Sequence, residues 1–263
     1  MNFDILKIAV AAGGLAGLAC LIDPLASARH AEWQTTFDSV RPFKAEQASL
    51  GILAGFRGLA ADVAWLRGYL AWEQHDAMKT EVSLQLATAL DGRPLCFWIN
   101  GARIIAYDMP AWEQAAGEHP VVSSPAEQRM IDEKYARRAL AYLETATRRH
   151  PRRAVLLIER ANIELGRLHD PLAAAESYRR ASELPDAPFY AARLHAELLH
   201  RAGHASEALA WLKRLYPGLP KHVEAAAAPV VLARIQALEQ ELSVPIESRF
   251  VARGERPVRS VGL

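Results

Sequence analysis

Prolines close successive helical stretches at nearly one interval, and that spacing confines the chain to a stacked array of short helices. Pro151 and Pro185 lie 34 residues apart, and Pro220 follows 35 residues later. Between them, Ala174, Tyr178 and Ala181 of HDPLAAAESYRRASELP recur 34 residues on as Ala208, Leu212 and Leu215 of GHASEALAWLKRLYPGLP, each set following a turn, at His169 and Asp170 or at Gly203. Upstream, ARRALAYLETATRRHP places Ala139, Leu143 and Ala146 before Pro151, and SLQLATALDGRP places Leu86 and Ala89 before Pro94. Self-similarity at a few tens of residues means an array of supersecondary units and not one compact core. The residue types fit that reading: small side chains let helices approach closely, Leu and Tyr four residues on fill the next groove, and proline ends each unit by removing an amide donor.

On these residues the chain resembles the tetratricopeptide repeat family, whose unit is a 34-residue pair of antiparallel helices. Ala102 and Ala196 match its small first-helix position, Ala174 and Ala208 its small second-helix position, and Ala181 a later small position that Leu215 fills with a larger residue. Pro94, Pro151, Pro185 and, more loosely, Pro220 match the closing proline, and WINGAR from Trp98 resembles the start of a first helix. The resemblance covers roughly residues 56 to 220 and is strongest from 152 to 220. It departs most between Pro94 and Pro151, which hold about 23 residues beyond one repeat, an insertion near 110–124. Such insertions map to loops, often on a binding face; the segment also reads as a spacer in which Ser123 or Ser124 caps the next helix and Pro125 opens it.

The resemblance implies an all-α, right-handed superhelix of antiparallel helix pairs whose inner groove holds a segment of another protein, as an extended peptide or a helix. The groove positions it suggests, polar or aromatic residues on first helices, are Trp98, Asn100, Arg103, Tyr107, Arg160, Asn162, Arg193 and His195.

Chemistry is not written into this chain. There are 31 Lys and Arg against 30 Asp and Glu, which gives no general attraction to nucleic acid. Cys20 and Cys96 belong to no disulfide framework or zinc spacing, so no metal and no cofactor are expected. GxSxG, HExxH, the Walker A loop and the Rossmann glycines are all missing from the sequence, and the expectation is a protein that is not an enzyme. His200 and His204 stand at ligand spacing, but Gly203 and a turn fall between them. The Arg148, Arg149, Arg152, Arg153 run reads as a solvated turn between repeats.

The flanks complete the plan. Residues 1–28 carry an apolar run from Ile8 to Ile22 behind Lys7, ended by Asp23 and Pro24. Counted from Ile5, the run is just long enough to span a bilayer, which needs ~20 residues. It reads as a transmembrane signal anchor, as a signal peptide cleaved after Ala26-Ser27-Ala28, or as a buried helix of a soluble protein. The first two readings place the remainder outside the cytoplasm; the anchor gives a single-pass inner-membrane protein with a periplasmic repeat domain. Residues 29–54 read as a linker, 55–220 as about four helix pairs, 221–242 as a capping helix and 243–263 as a flexible basic tail. Within GFRGLAADVAWLRGYLAW, Arg57, Asp62 and Arg67 are spaced by five, off the row that pairs along one helix, and read as a charge network or a junction. Trp65, Tyr69 and Trp72 form a stripe expected in the core. The leading functional expectation is a membrane-tethered adaptor in a bacterial envelope assembly such as secretion, pilus or envelope biogenesis. The alternatives are an exported soluble repeat domain that binds a small ligand or glycan near Trp112, and an enzyme.

Overall fold

In the computed structural model the described residues are 47–115 and 124–252, with side chains from Phe56 onward. They hold ten α-helices and no strand. The chain divides into two compact units, Met1–Ile104 and Ile105–Leu263.

The first unit is built on α1 (Gln47–Glu73), α2 (Ala77–Leu90) and α3 (Leu95–Arg103). Asp76 opens α2 by accepting from the Lys79 amide at 2.9 Å. Helix α1 turns its small residues inward: Ala61, Ala64 and Ala71 are buried. A side chain added at Gly68 would put its Cβ 3.1 Å from Ser83 Cβ, so these two helices touch almost backbone to backbone. Trp65 stacks on Phe97 with ring centroids 4.7 Å apart and closes this small core. Its large neighbours point the other way, since Phe56, Leu59, Leu66, Tyr69 and Leu70 are exposed. Two expectations are thereby corrected. Helix α1 begins at Gln47, inside the segment read as linker. Tyr69 is not in the core; it lies outside, stacked on Trp72 at 5.5 Å, because the close approach of α1 and α2 leaves room only for Ala and Gly.

A π-helical turn, Ile104–Asp108, contains the boundary between the units. The second unit continues with α4 (Met109–Ala115), α5 (Pro125–Arg149), α6 (Ala154–Gly166), α7 (Pro171–Ser182), α8 (Phe189–Arg201), α9 (Ala205–Leu215) and α10 (Ala228–Glu241). Consecutive helices from α5 to α9 pack on one another through short connections, the antiparallel arrangement that short loops enforce, and α10 packs on α9 after a longer connection, Tyr216 to Ala227. Ser124 caps α5, accepting from the Glu127 amide at 3.2 Å, with Pro125 in the first turn. The alanines of the repeat, Ala139, Ala146, Ala174, Ala181 and Ala208, are fully buried where neighbouring helices meet. The turn before α9 places Gly203 in the left-handed region at φ 87°, and the turn one repeat earlier places His169 there at φ 52°. Glycine takes that conformation freely, histidine only under constraint from its surroundings.

Asp186, in the loop after Pro185, accepts from the Ala154 amide at 2.8 Å and pairs with Arg153 at 3.4 Å. It thereby caps α6, whose own N-terminal residue offers no capping side chain.

Residues 243–252 are not a free tail. Phe250 meets Tyr216 edge to face at 5.5 Å, Ala252 is buried, and the Phe250 amide donates to the Glu239 carboxylate at 2.7 Å. The apolar Val244, Phe250 and Ala252 pack on the α9 and α10 cluster and hold this part of the segment read as a tail. The segment read as a membrane anchor or signal peptide lies outside the described residues. Among the described residues no helix is long and apolar enough to cross a membrane.

Candidate functional site: a groove on the second unit

A groove of roughly 540 Å³ runs over α7, α8 and α9. Its apolar lining is Leu172 and Ala175 from α7, Leu199 from α8, and Ala210 and Trp211 from α9. Leu172 is exposed although the helix around it is amphipathic, so an apolar surface faces solvent here. The ring of Trp211 is fixed from two sides. Its Nε1–H donates to the Ala192 carbonyl at 2.9 Å, and its ring packs edge to face with that of His195, centroids 4.5 Å apart.

His195 sits beneath this surface, 6% exposed. Its Nδ1–H donates to the Ala175 carbonyl at 2.8 Å, which leaves Nε2 as the acceptor. Burial holds its pKa below the ordinary histidine value, against the partial opposition of that hydrogen bond. The sign of the consequence follows directly. Between the ordinary value of 6.5 and the lowered folded value, the unfolded chain takes a proton that the folded ring refuses, so stability is lost as pH falls through that window. His195→Gln is expected to make the pH dependence of stability shallower by up to about one proton in denaturant titrations from about pH 7.5 to about pH 5.

Charged residues rim the groove. Glu176 is held ionised below its ordinary range by hydrogen bonds from Arg179, and Arg179 is raised in turn by Glu176. Glu207 accepts from His204 Nδ1 at 2.7 Å. Arg214 lies over the Trp211 ring at 5.8 Å, and among the described residues no carboxylate forms an ion pair with it. The groove therefore offers an apolar floor, a fixed indole and a guanidinium able to meet an added anion.

Of the eight positions suggested by the sequence, only His195 lines this groove. Trp98, Asn100 and Arg103 belong to the first unit and the other five to the second. Trp98 is a buried core residue whose Nε1–H donates to the Gly92 carbonyl at 2.9 Å, while Asn100 and Arg103 are exposed. Tyr107 and Asn162 are joined to each other, and Asn162 to α7: the Tyr107 hydroxyl donates to the Asn162 carbonyl at 3.4 Å, and Asn162 Oδ1 accepts from Tyr178 at 2.7 Å. Arg160 is a counter-ion to Glu164 at 2.8 Å and Glu144 at 3.3 Å. Arg193 is half-buried on α8. Polar residues on first helices are thus drawn largely into structural bonds, because a helix flanked on both sides by others has few positions free to face a ligand. Leu172, Trp211 and Arg214 were missed because they lie on second helices. The legible signal was Leu172, a large apolar residue in the solvent-facing first turn of α7.

His200 belongs to a separate network. Its Nδ1 accepts from Arg234 at 2.8 Å and its Nε2–H donates to Glu241 at 2.9 Å, while Arg234 also meets Glu197 at 2.9 Å. It is a tie between α8 and α10. Among the described residues no group of three or more His, Cys, Asp or Glu side chains is placed to hold a metal ion. Trp112 is half-buried on α4, beside Glu113, which accepts from Lys134 and Tyr135 at 2.7 Å each.

No protein-family profile matches the sequence, and no curated protein matches it. Among solved structures, a thermophilic tetratricopeptide repeat protein of Thermus thermophilus aligns over 66% of this chain and 99% of its own, at 18% identity and a TM-score of 0.30.

Proposed function

We propose that this chain is a scaffold that binds a segment of another protein in the groove over α7, α8 and α9, and that residues 1–28 tether it to a membrane in an envelope assembly. The observation that carries the binding role is the juxtaposition of exposed Leu172 with the doubly fixed Trp211 and with Arg214. An immobilised aromatic loses little conformational freedom on contact, and an apolar patch rimmed by charge is the usual form of a binding anchor. The chemistry selects the occupant: an apolar side chain for the space between Leu172, Leu199 and Trp211, with a carboxylate nearby for Arg214. Support for the tether is the uncharged run from Ile8 to Ile22. A scaffold role needs no catalytic group, and the reading is non-enzymatic.

A photo-crosslinking residue at Ala210, in the full-length chain expressed in its own cells, tests the groove. The expected result is one dominant adduct in the membrane fraction, lost in Leu172→Asp and missing when the same crosslinker replaces exposed Met130 on α5. Equal adducts at Met130, or adducts unaffected by Leu172→Asp, would overturn the groove. Release of the chain by alkaline washing would overturn the tether.

A further inference from the structure

We infer that the turn between α5 and α6, with the adjoining end of α7 and start of α8, is a contact surface for an anionic lipid bilayer. Two segments meet there, because Asp186 accepts from the Ala154 amide at 2.8 Å and pairs with Arg153 at 3.4 Å. Residues 144–153 and 179–190 together carry six arginines, at 148, 149, 152, 153, 179 and 180, against three carboxylates. Each carboxylate is already taken: Glu144 by Arg148 at 3.6 Å and Arg160 at 3.3 Å, Glu183 by Arg179, and Asp186 by Arg153. Arg149, Arg152 and Arg180 are exposed, and among the described residues no carboxylate forms an ion pair with them. The loop that holds Asp186 leads directly into Phe189 and Tyr190, exposed by 38% and 42% in the first turn of α8. This end of the repeats therefore sets uncompensated guanidiniums beside exposed aromatic rings.

Phosphate is the group this chemistry recognises, since a guanidinium offers paired donors to its oxygens and is itself weakly hydrated. The rings select the source. They add nothing to the capture of a free phosphate ion, whereas aromatic side chains at the headgroup level of a bilayer bury their apolar bodies while neighbouring arginines stay at the lipid phosphates. A nucleic acid is disfavoured by the balance of the whole chain, 31 basic against 30 acidic residues, which gives no field to gather a polyanion. Strength points the same way. One arginine near an anionic leaflet gives about a fivefold gain and three give about a hundredfold. That is too little to recruit a dilute protein and enough to orient one already held at the surface, where its effective concentration is high. The inference thus rests on the tether proposed above and is independent of the groove.

The test uses the full-length chain with Cys20→Ser and Cys96→Ser, and with Thr145→Cys, exposed and one turn before Arg149, carrying nitrobenzoxadiazole, a dye whose emission moves to the blue on leaving water. The chain is reconstituted with vesicles of phosphatidylcholine alone, or of equal parts phosphatidylcholine and phosphatidylglycerol, and recovered by flotation. Both vesicles are expected to float it through the tether, and only those with phosphatidylglycerol to shift the dye, reversibly with added salt. Arg149→Glu and Arg152→Glu are each expected to lower the ratio of shifted to unshifted dye about fivefold or more, and Arg129→Glu, the same charge change at the other end of α5, is not. An equal shift in both vesicles, or in neither, overturns the inference, as does an effect of Arg129→Glu equal to that of Arg152→Glu. A shift produced by inorganic phosphate or duplex DNA with phosphatidylcholine vesicles overturns it in favour of that anion. Failure to float with phosphatidylcholine overturns the tether alone; flotation confined to phosphatidylglycerol vesicles and lost in Arg152→Glu supports the surface, and flotation with neither overturns both. The comparison of lipids and the salt reversal need no substitution beyond the labelled parent, so they decide the outcome if a charge variant fails to fold.

Discussion

Arg160→Met is expected to destabilise the second unit by about 3 kcal/mol near neutral pH, the scale for removing one partner of a buried ion pair. Glu164 is 3% exposed and touches the Arg160 Nε–H at 2.8 Å and the Ser177 hydroxyl at 2.6 Å. Without Arg160, Ser177 alone answers a buried carboxylate. Burial already raises the Glu164 pKa, despite the opposing pull of Ser177 and Arg160. Loss of the guanidinium raises it further. A folded pKa above the unfolded value favours the folded state at low pH and withdraws that advantage as pH rises through the folded value. The penalty of Arg160→Met is therefore expected to be largest at neutral pH and above and to shrink as pH falls toward the carboxylate range. Arg160→Met with Glu164→Gln is expected to recover most of the loss, since no charge is then buried. Urea titrations at two pH values check this. A penalty independent of pH and unrescued by Glu164→Gln would mean that Arg160 acts through packing alone.

Lys213→Met is expected to cost a similar amount, about 3 kcal/mol, by a different route. Glu239 is 1% exposed, pairs with Lys213 Nζ at 2.6 Å and accepts the Phe250 amide at 2.7 Å. It ties α9, α10 and the segment after Ser243 together. With the ammonium removed, the carboxylate keeps one amide, and hydrating it requires that segment to move away. The expected signature is faster proteolysis near Arg249 in native buffer together with the lower midpoint. Replacing both partners, Lys213→Met with Glu239→Leu, removes the buried charge and is expected to recover stability, although the Phe250 amide loses its acceptor. Retention of the native cleavage pattern in Lys213→Met would show that the segment is held by Phe250 and Ala252 packing instead.

These two carboxylates, with His195 and Asp186, mark the difference between what could be read along the chain and what could not. The repeat interval, the helix pairs, the buried alanines and a serine cap at Ser123 or Ser124 were legible because each is a local rule. Proline stops a helix within a turn, a serine caps the amide three residues on, and Ala at a fixed interval declares a close approach. The groove was not legible in the same way. His195 stood among the candidates for its polarity, yet it is a buried support for Trp211, while Leu172 and Arg214 went unnoticed on the second helices. Arg160 looked available for a ligand and is committed to Glu164.

The sequence by itself determined that the described chain is helical, where its repeats end, and that Asp62 and Arg67 stand five residues apart. Only the tertiary structure decided which face of each helix is covered. It turned α1 with Ala61, Ala64 and Gly68 inward and Leu66 and Leu70 outward, set Asp186 on the amide end of a helix one repeat earlier, and drew Phe250 onto Glu239. The reason is physical: helix formation and termination depend on residues a few positions apart, whereas burial is settled by competition among side chains that meet only after the helices have packed.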